Sequence, residues 1–236
     1  MGKKGYGSCF GEDYQQYTKH IIKYVDNHFN NNKNIKILIP NALDGLHILC
    51  TARRGFKLDC YEQQEEFING GVIDNFNIVG LKEKLKYFNY NDKVNLYEKN
   101  FFEQKVEKEY DFLFCYKSLH LNCNKHIPKE RKMRKLLSSV KENGLIYIFY
   151  HLAENEHDYI NYPKEQYFRR LEMREFFDDS WEVIDIIENV IPSFDAGHPF
   201  NKEDHKHLVG HVFARKKYKR RKYKYTYDIS VSVLDN

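Results

Sequence analysis

Apolar positions along this chain switch repeatedly between helical and strand spacing. Tyr14, Tyr17, Ile21, Ile22, Val25 and Phe29 recur at helical intervals and predict a leading amphipathic helix over 13–29. A short β-branched run, Ile35–Ile39, stops at Pro40, and the turn-forming cluster Asn41-Ala42-Leu43-Asp44-Gly45 follows. The next helix runs from about Gly45 to Arg54, with Asp44 expected as its N-cap and Gly55 as its stop. Lys57–Tyr61 predicts a second strand, ending at Glu62. Residues 64–88 read as mostly helical, broken near Gly70-Gly71 and Gly80. Further strands are expected at Val94–Glu98, Phe112–Tyr116 and Leu145–Tyr150, the last introduced by an Asn143-Gly144 turn. A helix fills Pro128–Lys141, with Met133, Leu136, Leu137 and Val140 on one face. Residues 163–178 read as a charged helix, and Trp181–Ile191 and His207–Ala214 as a closing strand pair.

Strands alternating with helices predict an α/β protein: a Rossmann-like seven-stranded sheet, mostly parallel, with helices on both faces. The closing pair has no crossover helix, so the last strand is expected to be antiparallel at one edge. The expected organisation is a helical cap at 1–34, a Rossmann-like domain at 35–216 and a basic, aromatic tail at 217–236. Tyr225, Tyr227, Ile229, Val231 and Val233 alternate with polar residues in that tail, the pattern of an extra edge strand.

Length adds little beyond this: 236 residues suit one α/β domain, and no Pro/Gly/Ser-rich linker divides them. The net charge of +4 implies no polyanionic partner by itself. Its distribution does matter, because residues 215–224 concentrate Lys and Arg with Tyr218 and Tyr223 interleaved, a pattern suited to phosphate contact and base stacking. Nucleic acid is therefore a candidate partner at 215–224. Five scattered cysteines, Cys9, Cys50, Cys60, Cys115 and Cys123, suggest small buried hydrophobes in a reducing compartment. No apolar run approaches membrane-spanning length, and the N-terminus lacks a signal-peptide core, so a cytoplasmic location is expected.

The stretch KILIPNALDGLHILCTARRGFKLDCYE, residues 36–62, holds a strand, a tight turn, a helix, a second strand and then an acid. Open α/β sheets place nucleosides at that arrangement. With NLYEKNFFE (95–103), EYDFLFCYKSLHL (109–121), RKMRKLLSSVKENGLIYIFYH (131–151) and HKHLVGHVFARKK (205–217), it resembles the class I S-adenosylmethionine-dependent methyltransferases. The tellurite- and thiopurine-methyltransferase-like members are the nearest kind. The resemblance covers about 13–216.

It implies S-adenosylmethionine as cofactor, with Pro40, Asn41, Gly45, Glu62, Gln63, Asn100, Phe101 and Cys115 as cofactor-binding positions. Glu62 would accept the ribose hydroxyls and Asn100 the adenine amino group, beside Phe101. The family loop carries two or three glycines; Asn41 and Leu43 replace two of them here, and only Gly45 remains. His120 and His151 follow the fourth and fifth strands and are the candidates to orient a substrate or take a proton. Tyr14, Tyr116 and His211 are the candidate substrate contacts. His198, His205, His207 and His211, near Asp195 and Asp204, match no standard zinc spacing, and no metal is expected.

The implied activity is in-line methyl transfer to a small, partly aromatic acceptor, in which the protein supplies mainly position and desolvation. Cys115-Tyr116-Lys117-Ser118 stands where base-amino methylases carry Asn/Asp-Pro-Pro-Tyr, which argues against that class. Two other readings stay open: a non-catalytic binding protein on the same fold, and RNA binding or methylation through the tail.

Overall fold

Ile37, Leu38 and Ile39 are fully buried because β1 (Lys36–Ile39) lies in the middle of the sheet. It pairs in parallel with β2 (Lys57–Glu62) on one side and β6 (Tyr110–Cys115) on the other. The computed structural model describes residues 13–105, 109–153, 155, 165–191, 193–195, 203 and 205–218, without the side chains of 13–17 and 193–195. Beyond β2 lies β5 (Val94–Glu98), parallel, and beyond β6 lies β7 (Val140–Leu152), also parallel. β11 (His205–Lys216) then runs antiparallel to β7. β9 (Trp181–Glu188) and β10 (Ser193–Asp195) pair antiparallel with the far side of β11, and the two-residue β8 (Tyr167–Phe168) joins the end of β7. The result is one nine-stranded mixed sheet, parallel through its middle and antiparallel at one edge, as the alternating pattern predicts.

Period-2 alternation splits each central strand between two cores. Leu38, Leu113, Cys115, Ile146 and Ile148 pack against Met133 and Leu136 of α5 (Lys129–Ser138) on one face. Ile37, Ile39, Phe112, Phe114, Leu145 and Tyr147 pack on the other face. Their partners there come from α1 (Asp13–His28), α2 (Leu46–Arg53) and α4 (Leu81–Tyr87), through Ile22, Val25, Ile48, Ala52, Leu81 and Leu85.

Four local expectations are corrected. Residues 64–88 hold only short helices, α3 (Glu65–Asn69) and α4, separated by a hairpin of β3 (Gly71–Ile73) and β4 (Phe76–Ile78). Asp74 and Asn75 both take positive φ, 50° and 72°, the two-residue turn that matches hairpin twist. Asp44 does not cap α2. Gly45 occupies that position at φ 89°, and a β-carbon there would meet Leu81 Cδ1 at 2.6 Å. Asn143-Gly144 lies inside β7, with Asn143 at φ 61° opposite a register shift at Tyr110/Phe112, so it forms a bulge instead of a strand-starting turn. Finally, the described part of 163–178 contains β8 and a single helical turn at Glu172–Glu175, not one long helix.

Candidate functional site

The parallel strands end together, and the loops leaving their carboxyl ends meet over β1, β2 and β6. The loop after β1 is held first by its own backbone: Ala42 N–H donates to Tyr61 O at 2.7 Å. Leu43 follows at φ 47°, a left-handed conformation that costs a β-carbon-bearing residue roughly 1 kcal/mol. Its N–H donates to Glu62 Oε2 at 2.7 Å, while Glu62 Oε1 accepts from Gln63 N at 2.9 Å and Gln64 N at 3.0 Å. Glu62 is only 2% exposed. Burial pushes its carboxyl above the ordinary value, and the three backbone N–H groups pull it partly back.

Leu43, 4% exposed, packs with Phe67 and Ile78, and Leu121 from the loop after β6 closes over the group. Burial also raises the Cys123 thiol, while the Gln63 side chain hydrogen-bonds it. Residues 121–123 therefore lie across the ends of β2 and β5, where a nucleoside would rest. Buried groups pin this loop. Asn124 Nδ2 donates to Ser118 O at 2.9 Å, and Asn124 Oδ1 accepts from Asn100 Nδ2 at 2.9 Å. Lys132 Nζ reaches up from α5 to Leu119 O at 2.9 Å, to Asn124 O and to Glu165 O; burial lowers its ammonium to about 8. Gln166 donates to His120 O and Asn122 Oδ1.

Asn124→Ala is expected to cost about 2 kcal/mol by stranding its partners. Urea unfolding checks the cost. Faster reaction of Cys123 with a thiol reagent checks that the loop has lifted.

The expected site residues divide into those brought together and those already engaged. Pro40, Asn41 and Gly45 do line the loop and are buried with it. Asn100 Oδ1 accepts the Phe102 N–H at 2.9 Å, capping a one-turn 3-10 helix at Phe101–Glu103. Phe101 is buried beneath Tyr61, 5.3 Å between ring centres, and faces Lys135 Nζ. Cys115 is core, its thiol pushed up to about 12 by burial, so it supplies no thiolate. Tyr116 is buried between the rings of His47, at 4.2 Å, and Phe149, at 4.6 Å.

The histidines cluster. His120 stacks on His151 at 3.7 Å and 11°, His151 on His207 at 4.2 Å and 28°, and His205 meets His207 edge-on at 4.7 Å. Burial holds His151 well below the ordinary imidazole range; the fields of His120, His207, Lys117 and His205 push the same way. His211 hydrogen-bonds the Tyr147 hydroxyl, and burial lowers it to about 4. Among the described residues no group of three His, Cys, Asp or Glu side chains is arranged to hold a metal ion. His198, Asp204 and the side chains of Tyr14 and Asp195 lie outside the described residues.

Sequence reasoning passed over His47, Leu121, Cys123, Asn124 and Lys132. Lys132 left a signal: Lys129, Lys132, Met133 and Leu136 share one helical face, and all four are buried. His47 is buried, bonded through Nδ1 to Thr18 at 2.6 Å, and lowered to about 3, first by burial and then by Lys117. His47 Nε2, Asn41 Nδ2 and His151 Nδ1 are buried without a hydrogen-bond partner. All three sit at the ligand-facing end of the sheet. Buried polar atoms are seldom left unpaired.

A ribose seat needs free carboxylate oxygens beside open space. Here the carboxylate already accepts three N–H groups, and residues 40–48, 100–101, 115–119 and 124 are all buried. An empty crevice of nucleoside size would leave several of them exposed to it. With three of about four acceptor positions of Glu62 taken by backbone N–H groups, a ribose has one position left to bond in this arrangement.

No family model matches the sequence, and no curated protein matches it. Solved structures do match. TehB from Haemophilus influenzae superposes with a TM-score of 0.64 at 16% identity, over 86% of this chain and 62% of TehB, so the chain spans less than two thirds of that protein. The 1,6-didemethyltoxoflavin-N1-methyltransferase of Burkholderia thailandensis, a complex with 1,6-didemethyltoxoflavin and S-adenosylhomocysteine, gives 0.55 at 13% identity over 86% and 78% of the two chains. A putative RNA methyltransferase from Pyrococcus horikoshii gives 0.53 at 13% identity over 86% and 84%. This chain has the class I S-adenosylmethionine-dependent methyltransferase fold. Such identities speak to fold and not to activity.

Proposed function

We propose that this chain is a non-catalytic protein of the methyltransferase fold, which binds a ligand or partner at the carboxyl ends of its strands without S-adenosylmethionine. One observation carries it. Glu62, expected to grip a ribose, instead ties the β1 loop to the start of α3 through Leu43, Gln63 and Gln64. The pinned Leu121–Asn124 segment supports it, because opening the crevice breaks the bonds of Lys132 and Asn124. Asn41 Nδ2, His47 Nε2 and His151 Nδ1 are unsatisfied polar atoms at that end of the sheet, which a ligand would reach once the loop opens.

Calorimetry tests it: neither S-adenosylmethionine nor S-adenosylhomocysteine is expected to release heat of binding at millimolar concentration. Micromolar binding of either would sink the proposal. It would restore the second reading, an S-adenosylmethionine-dependent methyltransferase acting on a small, partly aromatic acceptor. The fold favours that second reading, and so do the rings of Tyr116 and Phe149 beside the crevice.

A nucleic-acid role for 215–224 has less support. Arg215 pairs with Glu182, Lys216 donates to Val140 O and Lys217 to Asp179 O, so the first three cations of that run are used within the fold. Among the described residues no helix is long and apolar enough to cross a membrane. The described cysteines, Cys50, Cys60, Cys115 and Cys123, are free thiols, which suits a reducing compartment.

A further inference from the structure

β9 is an edge strand with an apolar surface. It pairs with β11 alone among the described strands. Ile184 and Ile187 are 38% and 50% exposed, and Val190 and Ile191, in the bend after the strand, are 78% and 76% exposed. Natural proteins seldom leave such an edge bare, because its unpaired N–H and C=O groups template association. The chain leaves β11 at the right place to cover it. Lys216 lies opposite Trp181, the first residue of β9, and Lys217 N–H donates to Ser180 O at 2.8 Å. Residues 219–236, outside the described part, therefore begin beside the start of β9.

Their sequence alternates without a break: Tyr223, Tyr225, Tyr227, Ile229, Val231 and Val233 are apolar, while Lys224, Thr226, Asp228, Ser230 and Ser232 between them are polar. The chain enters this stretch beside the loop before β9, where Lys217 Nζ donates to Asp179 O.

We propose that residues 223–233 add to the outer edge of β9 as a further strand of the same molecule, parallel to β9. The reach suffices. A return from β11 to a position beyond β9 crosses two strand spacings, about 10 Å. Residues 218–222 extend up to about 16 Å. The return is of hairpin type, since the new strand would be antiparallel to β11, so it needs no crossover helix. The apolar side of the tail would then cover Ile184 and Ile187. This inference stands apart from the proposed function, and neither depends on the other.

Hydrogen exchange on the full chain tests it, read on peptides covering Trp181–Glu188. The β9 amides that do not bond β11 are expected to be protected, and Ile229→Pro and Val231→Asp are each expected to speed their exchange at least about tenfold. Equal exchange in the full chain and both variants overturns the proposal. So does a dimer that Ile229→Pro converts to monomer, because the strand is then donated between two copies. Salt-dependent capture of single-stranded RNA by the tail, with β9 exchange unaffected by either variant, overturns it as well and makes the tail a nucleic-acid arm.

Discussion

Glu62→Ala is expected to lower the unfolding free energy by about 2 kcal/mol with no ligand present, since it strands the buried N–H of Leu43, a loss of about 1–3 kcal/mol, while two part-buried N–H groups turn to water. Those groups belong to Leu43, Gln63 and Gln64. Leu43 is the critical one. Its φ of 47° is unfavourable for leucine and persists because the carboxylate holds its N–H from one side while Phe67, Ile78 and Leu121 hold its side chain from the other. Losing the acceptor releases the loop and part of that packing together.

The result discriminates between the two functional readings. A carboxylate reserved for ribose hydroxyls does little for the ligand-free fold, and removing such a group is commonly neutral or stabilising. Urea unfolding followed by Trp181 fluorescence reads the difference. A loss under about 0.5 kcal/mol, the range of an ordinary surface substitution, would mean that Glu62 is free for a ligand after all. Glu62→Gln keeps one acceptor oxygen and is expected to fall between the wild type and Glu62→Ala.

The second large effect is lability in mild acid. His47 is lowered to about 3, His211 to about 4, and His151 well below its ordinary value, all chiefly by burial. In each case the folded value lies below the unfolded one, so the unfolded chain takes up the proton first. The stability these three contribute is intact above about pH 6.5 and drains away as pH falls toward the folded values. At pH 5 His47 and His211 have each cost about 2 kcal/mol relative to neutral pH, and His151 adds a loss of the same sign.

Glu62 acts in the opposite sense. Its raised value means the folded state binds that proton more readily, which offsets part of the loss. Within the His120–His151–His207 stack the fields of His120, His207, Lys117 and His205 all oppose a proton on His151. Urea midpoints at pH 7.5 and pH 5 measure the drop. His151→Phe keeps a ring in the stack without a titrating nitrogen and is expected to shrink the drop. An unchanged drop in that variant would place the acid sensitivity elsewhere.

The architecture was legible because it rests on local periods. β-branched runs at 35–39, 57–61, 94–98, 112–116 and 145–150, separated by helical spacings, leave few choices besides a parallel sheet covered on both faces. The final LVGHVFA alternation placed an antiparallel strand near one edge. Even the replacement of loop glycines by Asn41 and Leu43 is plain in the chain.

Tertiary structure alone decided what that replacement does. A leucine in a glycine position can narrow a crevice or close it. The outcome depends on Leu121, 78 residues later, and on whether Lys132 and Asn124 pin the loop that carries it. Glu62 has the same chemistry whether it faces a sugar or the backbone of its own loop, so no pattern of residue types distinguishes the two. The histidine stack likewise joins the loop after β6 to β7 and β11, through contacts between residues far apart in the chain. Periodicity reports which face of an element is buried. It is silent on what that face meets, and the chemistry of this sheet end is made of such meetings.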